Sequence, residues 1–81
     1  MKNRYENGVV TPQALAARHS IAKELRDTRH QLNLTQESLA DLVGTKKSNI
    51  SRMESGKYNP SLDFLVKVAE SMGKRVDIHI N

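Results

Sequence analysis

Residues Gln36–Ser55 read QESLADLVGTKKSNISRMES, with apolar side chains at helical spacing on both sides of one glycine. Leu39, Ala40 and Val43 fall on one face before the glycine, and Ile50 and Met53 fall on one face after it. Gly44 supplies the left-handed turn that ends the first helix, and Gly56 closes the second. Thr35 and Thr45 are placed to cap the two helices. Ala40 lies one turn before the break, where two steeply crossing helices leave room only for a small side chain. At about 100° per residue, Ser48 and Arg52 come round almost opposite Ile50. Thr45 and Asn49 take the adjoining outer flank, and Lys46 and Lys47 project from the N-terminal end. A face of Lys, Lys, Ser, Asn and Arg suits the acceptors and donors of a DNA major groove, which is wide enough to admit an α-helix. The pair is a helix-turn-helix.

Upstream, Thr11 and Pro12 fit a helix start, with Thr as cap and Pro at the first helical position. Ala14, Ala17, Ile21, Leu25, Thr28 and Leu32 then recur at spacings of three and four. This predicts one long helix ending at Leu32 or Asn33, with His19-Ser20 as the place where it could break. MKNRYENGVV, residues 1–10, is polar and without helical period, so it reads as a flexible arm. Downstream, KYNPS is a loop, because the residue before Pro resists helical geometry. Ser61 caps a fourth helix whose apolar set is Leu62, Leu65, Val66, Ala69 and Met72, and Gly73 ends it.

The tail changes period: Val76, Ile78 and Ile80 alternate with Asp77, His79 and Asn81. That is the repeat of a half-buried strand. The chain offers no second strand, and a lone one leaves a row of unsatisfied backbone groups. The same strand from a second copy, antiparallel across a two-fold axis, is the economical partner. The expected organisation is an arm over residues 1–10, a helix-turn-helix domain over 11–73 and a dimerisation strand over 74–81.

With 81 residues the chain holds one domain at most, and with no Cys it has neither disulfides nor thiolate metal sites. The expected location is a reducing cytoplasm, on the nucleoid. No apolar run reaches the roughly 18 residues of a membrane span. The net charge of +4 leans toward a polyanionic partner. The excess falls in two stretches: residues 44–60 carry Lys46, Lys47, Arg52 and Lys57 against Glu54 alone, and residues 1–34 carry six bases against three acids, whereas residues 61–81 are balanced. His19, His30 and His79 are scattered without companions at ligand spacing, so no metal is expected. Met53 and Met72 read as core fillers. No nucleophile site, phosphate loop or cofactor motif is present in the sequence, so neither an enzyme nor a cofactor is expected.

The stretch LTQESLADLVGTKKSNISRMESGKYNPSLDFLVKVAESMG resembles the Cro/phage-repressor class of helix-turn-helix domains, the XRE-like regulators. The likeness covers Ile21 to Gly73. Arg29, Leu34-Thr35-Gln36, Leu39-Ala40, Gly44, Ile50-Ser51, Glu54, Gly56, Pro60-Ser61 and Leu65 fall in that family's order and spacing. The tail GKRVDIHI looks more narrowly like the HigA-like and HipB-like antitoxins. The resemblance implies an all-α, lambda-repressor-like bundle of four to five helices with a short C-terminal strand pairing across a dimer. Gln36 would hold a DNA phosphate. Lys47, Ser48 and Arg52 align with the base readers, and Lys46 and Asn49 flank them. Lys57, Tyr58 and Asn59 lie in the loop that meets the DNA backbone. Arg29 and Glu54 correspond to a buried charge pair that serves the fold. The function implied is a homodimeric repressor on a palindromic operator, its third helices about one DNA turn (~34 Å) apart. The alternative is an antitoxin that binds a RelE/HigB-like toxin, through residues 1–18 or the C-terminal strand, and regulates its own operon.

Overall fold

The computed structural model describes residues 10–81, with four helices in order: α1 (Pro12–Gln31), α2 (Gln36–Val43), α3 (Lys47–Ser55) and α4 (Leu62–Ser71). Three of them begin on a hydroxyl side chain that accepts the backbone N–H of the third helical residue. Thr11 Oγ1 accepts from Ala14 N at 3.0 Å, Thr35 Oγ1 from Ser38 N at 2.9 Å, and Ser61 Oγ from Phe64 N at 3.1 Å. The α2–α3 turn is closed by Gly44 at φ 82°, with Gly44 N and Thr45 N both donating to Ala40 O at 2.8 and 2.9 Å. An L-residue with a Cβ disfavours that conformation. The fold is thus a small all-helical one.

The core gathers Leu25, Leu39, Ala40, Val43, Ile50, Met53, Val68, Ala69 and Met72. Leu39, Ile50 and Val68 are fully buried, and they come from α2, α3 and α4 respectively. Helix α3 packs on both α1 and α2, while α2 also packs on α4. On α2 and α3 the apolar faces of the sequence pattern are the faces that meet, whereas on α4 the fully buried residue is Val68, outside the expected set, and Leu62 is 53% exposed because it sits in the first turn at the edge of the core.

The pattern misplaces the face of α1. Its buried residues are Ala22, Leu25 and Arg29, whereas Leu32 is 45% exposed and Thr28 spends its hydroxyl on Glu24 O at 2.8 Å. A charged residue carries the last inward position, which an apolar count passes over. Three further expectations change. Helix α1 runs unbroken through His19 and Ser20. Thr45 is not the cap of α3: Lys46 occupies that position without a side-chain capping bond. Thr45 Oγ1 accepts instead from Asn49 Nδ2 at 2.8 Å. Its backbone is engaged in closing α2, so α3 starts one residue later than expected. Finally, no strand forms among the described residues. Val76 packs partly buried against the core, but Ile78 is 62% and Ile80 94% exposed. A ladder needs a partner strand, and a single chain supplies none. The expected arm, residues 1–10, lies outside the described residues except for Val10.

Arg29 and Glu54 tie α1 to α3 from within. Arg29 Nε donates to Glu54 Oε2 at 2.7 Å and Nη2 to Oε1 at 3.0 Å, the two-pronged geometry a guanidinium favours. Nη1 donates to Leu34 O at 2.8 Å, and Nη2 also lies 3.0 Å from His30 Nε2. Gln36 Nε2 donates to Glu54 Oε1 at 3.1 Å. The two charged side chains are only 9% and 4% exposed. Among the described residues no buried side-chain polar atom lacks a partner. Satisfying every lone pair and proton is what makes a buried pair tolerable.

Removing one member should strand the other. Arg29→Met is expected to cost about 3–5 kcal/mol in urea unfolding, because Glu54 is left charged and dry. The double variant Arg29→Met/Glu54→Leu should regain most of that loss. A double variant no more stable than the single one would mean that the cost lies in packing and not in the stranded charge.

Candidate nucleic-acid interface

The outer face of α3 is built by its inner face. Ile50, Met53 and Glu54 are buried, and their spacing leaves Ser48, Asn49, Ser51 and Arg52 exposed, with Lys46 and Lys47 exposed at the N-terminal end. The two side chains placed opposite Ile50 in the sequence, Ser48 and Arg52, both reach solvent. Asn49 is held to Thr45, which is half-buried, so that pair presents one joined polar surface. The first turn of α3 contains no acid and no side-chain cap. Its free N–H groups and the two lysines add positive potential at the same end.

Among the described residues, none of Lys46, Lys47, Arg52 and Lys57 is engaged in an ion pair. Two surface acids pair with other bases. Lys23 Nζ lies 2.6 Å from Asp27 Oδ2 on α1, and this hydrogen bond holds the Asp27 carboxyl below its ordinary range. Arg75 lies 3.6 Å from Asp77 in the tail. The charges along α3 are therefore unneutralised by their own chain.

Gln36 stands apart from the outer face of α3. It is half-buried at the start of α2 and tied to Glu54 near the end of α3. Its second amide N–H and its carbonyl oxygen remain for other partners. Lys57, Tyr58 and Asn59 are all exposed in the loop after α3. They follow Gly56, whose φ is 71° and whose missing Cβ would stand 2.5 Å from His19 Nδ1. Arg18 Nη1 donates to Lys57 O at 3.4 Å, so α1 holds this loop from behind. Lys57 N also donates to Ser55 Oγ at 3.2 Å.

The structure brings together two residues that the sequence left separate. The Arg52 guanidinium lies over the Tyr58 ring, 5.7 Å from its centroid. Both line a crevice of about 390 Å³ between α3 and the loop, with Thr45, Asn49 and Phe64. Nothing in the spacing announces this contact, because a glycine turn in the left-handed region reverses the chain between them. The Gln36–Glu54 bond was hidden for a related reason: it joins the first residue of one helix to the eighth of another.

An HTH-type transcriptional regulator of Haemophilus influenzae is 39% identical over 61 residues, which is 75% of this chain and 62% of that protein's length. A solved HTH_3 family transcriptional regulator from Vibrio cholerae superposes with a TM-score of 0.70 at 25% identity, covering 74% of this chain and 34% of its own. A chain of a toxin-antitoxin module from Streptococcus pneumoniae gives a TM-score of 0.68 at 27% identity, covering 99% of this chain and 93% of its own. The described helices include none long and apolar enough to cross a membrane. The HTH_3 helix-turn-helix pattern matches residues 23–78, well over half of the sequence, and the chain belongs to that family.

Proposed function

We propose that this protein is a sequence-specific, double-stranded DNA-binding regulator of transcription that acts as a homodimer. The observation that carries the reading is the outward face of α3, where Lys46, Lys47, Ser48, Asn49 and Arg52 stand exposed over a helix anchored by Ile50 and Met53. Such a helix fits a major groove with its N-terminal end leading. Lys47, Ser48 and Arg52 read base edges, with Lys46 and Asn49 flanking them and Thr45 steadying Asn49. Arg52 has the fork that guanine O6 and N7 accept, a contact worth about 1–3 kcal/mol of discrimination. Gln36 donates its remaining amide N–H to a phosphate, and Lys57 and Asn59 meet the sugar–phosphate backbone. A dimer seated on a promoter excludes other proteins from the same grooves, so repression is the mode proposed.

The exposed Ile78 and Ile80 support the second copy as partner of the tail. Ile78 lines an apolar groove of about 600 Å³ together with Val10, Ala14, Leu62, Leu65 and Val76. Two tails paired through Val76, Ile78 and Ile80 would satisfy each other's backbone and cover these side chains.

One observation favours a second reading, an antitoxin. The likeness to the Streptococcus pneumoniae toxin-antitoxin chain runs nearly end to end in both directions, tail included. The two readings share the α3 face and differ in a protein partner, a small RelE/HigB-like toxin taken up by residues 1–18 or by the tail.

In gel shifts with the DNA upstream of its own gene, binding should weaken steeply between ~50 and ~200 mM salt, as phosphate contacts demand. Arg52→Ala should lose selectivity for that DNA over random sequence by about ten-fold or more. Retained selectivity would place the reading elsewhere than α3. In sedimentation, Ile78→Asp/Ile80→Asp should shift the protein toward monomer, and an unchanged dimer would assign the interface to the helices. Coexpression with the adjacent open reading frame separates the two readings: a small basic protein that copurifies supports the antitoxin, and the lack of any such neighbour supports the plain regulator.

A further inference from the structure

We propose that Tyr58 sets specificity as a positioning residue, its ring serving as the platform that holds the Arg52 guanidinium in one plane against the bases. The inference rests on the reading of α3 as the base-reading helix and assigns what prepares its principal side chain. An arginine on an exposed helix face samples many rotamers, and freezing it on binding costs entropy. Reading guanine needs both prongs of the fork in one plane. A side chain already laid on an aromatic face has spent part of that cost before DNA arrives, and Arg stacks on rings where Lys does not.

Three observations converge on Tyr58. The guanidinium carbon is 5.7 Å from the ring centroid, within the range where a cation is attracted to the ring face. Among the described residues Arg52 has no side-chain hydrogen bond and no ion pair, so no carboxylate competes for it. The backbone that leads into Tyr58 is held from behind. Gly56 turns the backbone at φ 71° with His19 filling the space a Cβ would need. Arg18 holds Lys57 O, and Ser55 Oγ links Lys57 N to Arg52 O, donating to the latter at 2.7 Å. The loop is thus tied to α1 on one side and to the turn of α3 that bears Arg52 on the other. Tyr58 is 57% exposed, so its ring can underlie Arg52 and still leave the guanidinium edge open to a ligand. Within this arrangement Tyr58 acts through Arg52 and not through a phosphate of its own.

The test is a double-mutant cycle on duplexes selected from random-sequence DNA by the parent protein, together with every single-base variant of the selected site. Dissociation constants are measured by fluorescence anisotropy at two salt concentrations, with thermal melts of each variant confirming the fold. Tyr58→Leu should weaken binding and reduce discrimination by about two- to five-fold, the worth of an exposed cation–ring contact. The loss should fall at the base pair where Arg52→Ala abolishes discrimination. Tyr58→Phe should match the parent, and Tyr58→Leu should have no further effect in an Arg52→Ala background. A loss in Tyr58→Phe equal to that in Tyr58→Leu would assign the hydroxyl to the DNA backbone and overturn the proposal. Additive losses in the double variant would overturn it too. If Arg52→Ala leaves every base preference intact, the reading of α3 itself fails, an outcome distinct from the other two.

Discussion

The buried contact between Arg29 and Glu54 is the constraint on which the rest is arranged. It fixes the end of α1 against the end of α3, and through Leu34 O and Gln36 it reaches the chain that leads into α2. Taking two charges out of water is costly, and the cost is met here because each donor and acceptor has a partner. The arrangement is therefore specific in a way that an apolar contact is not. A slipped α3 would strand a carboxylate, so the helix is held at one rotation about its axis. That rotation decides which side chains look outward.

Helix α3 contributes only Ile50, Met53 and Glu54 to the interior, yet it touches both α1 and α2. Its polar remainder is left without intramolecular charge partners. The same economy shapes the loop after it. Gly56 lets the backbone run close beneath α1, where His19 and Arg18 hold it, and the loop then carries Tyr58 back to Arg52. Fold and site are thus joined at two places: at Glu54, which serves Arg29 and Gln36 together, and at Gly56.

Much of this was legible in the sequence. The extents of α2 and α4, the caps at Thr11, Thr35 and Ser61, the turn at Gly44 and the pairing of Arg29 with Glu54 followed from spacing, cap chemistry and family resemblance. The exposure of Ser48 and Arg52 followed from the helical period alone. What escaped has a common cause. The cap of α3 depended on whether Thr45 still belonged to the closing turn of α2, a matter of backbone hydrogen bonds that side-chain identity does not reveal. The inner face of α1 ended on a charged residue that hydrophobic periodicity cannot count. The Arg52–Tyr58 contact and the Gln36–Glu54 bond depend on how turns bring distant positions together. The alternation of Val76, Ile78 and Ile80 speaks to what the tail could pair with, and one chain cannot display a ladder that needs another.

The division of labour within α3 has an evolutionary corollary. Since Ile50, Met53 and Glu54 hold the helix in place and Lys47, Ser48 and Asn49 take no part in the interior, the outer set is interchangeable at little thermodynamic risk. On the proposed reading of α3, new targets are acquired by swapping a few solvent-facing letters while the chassis stays as it is.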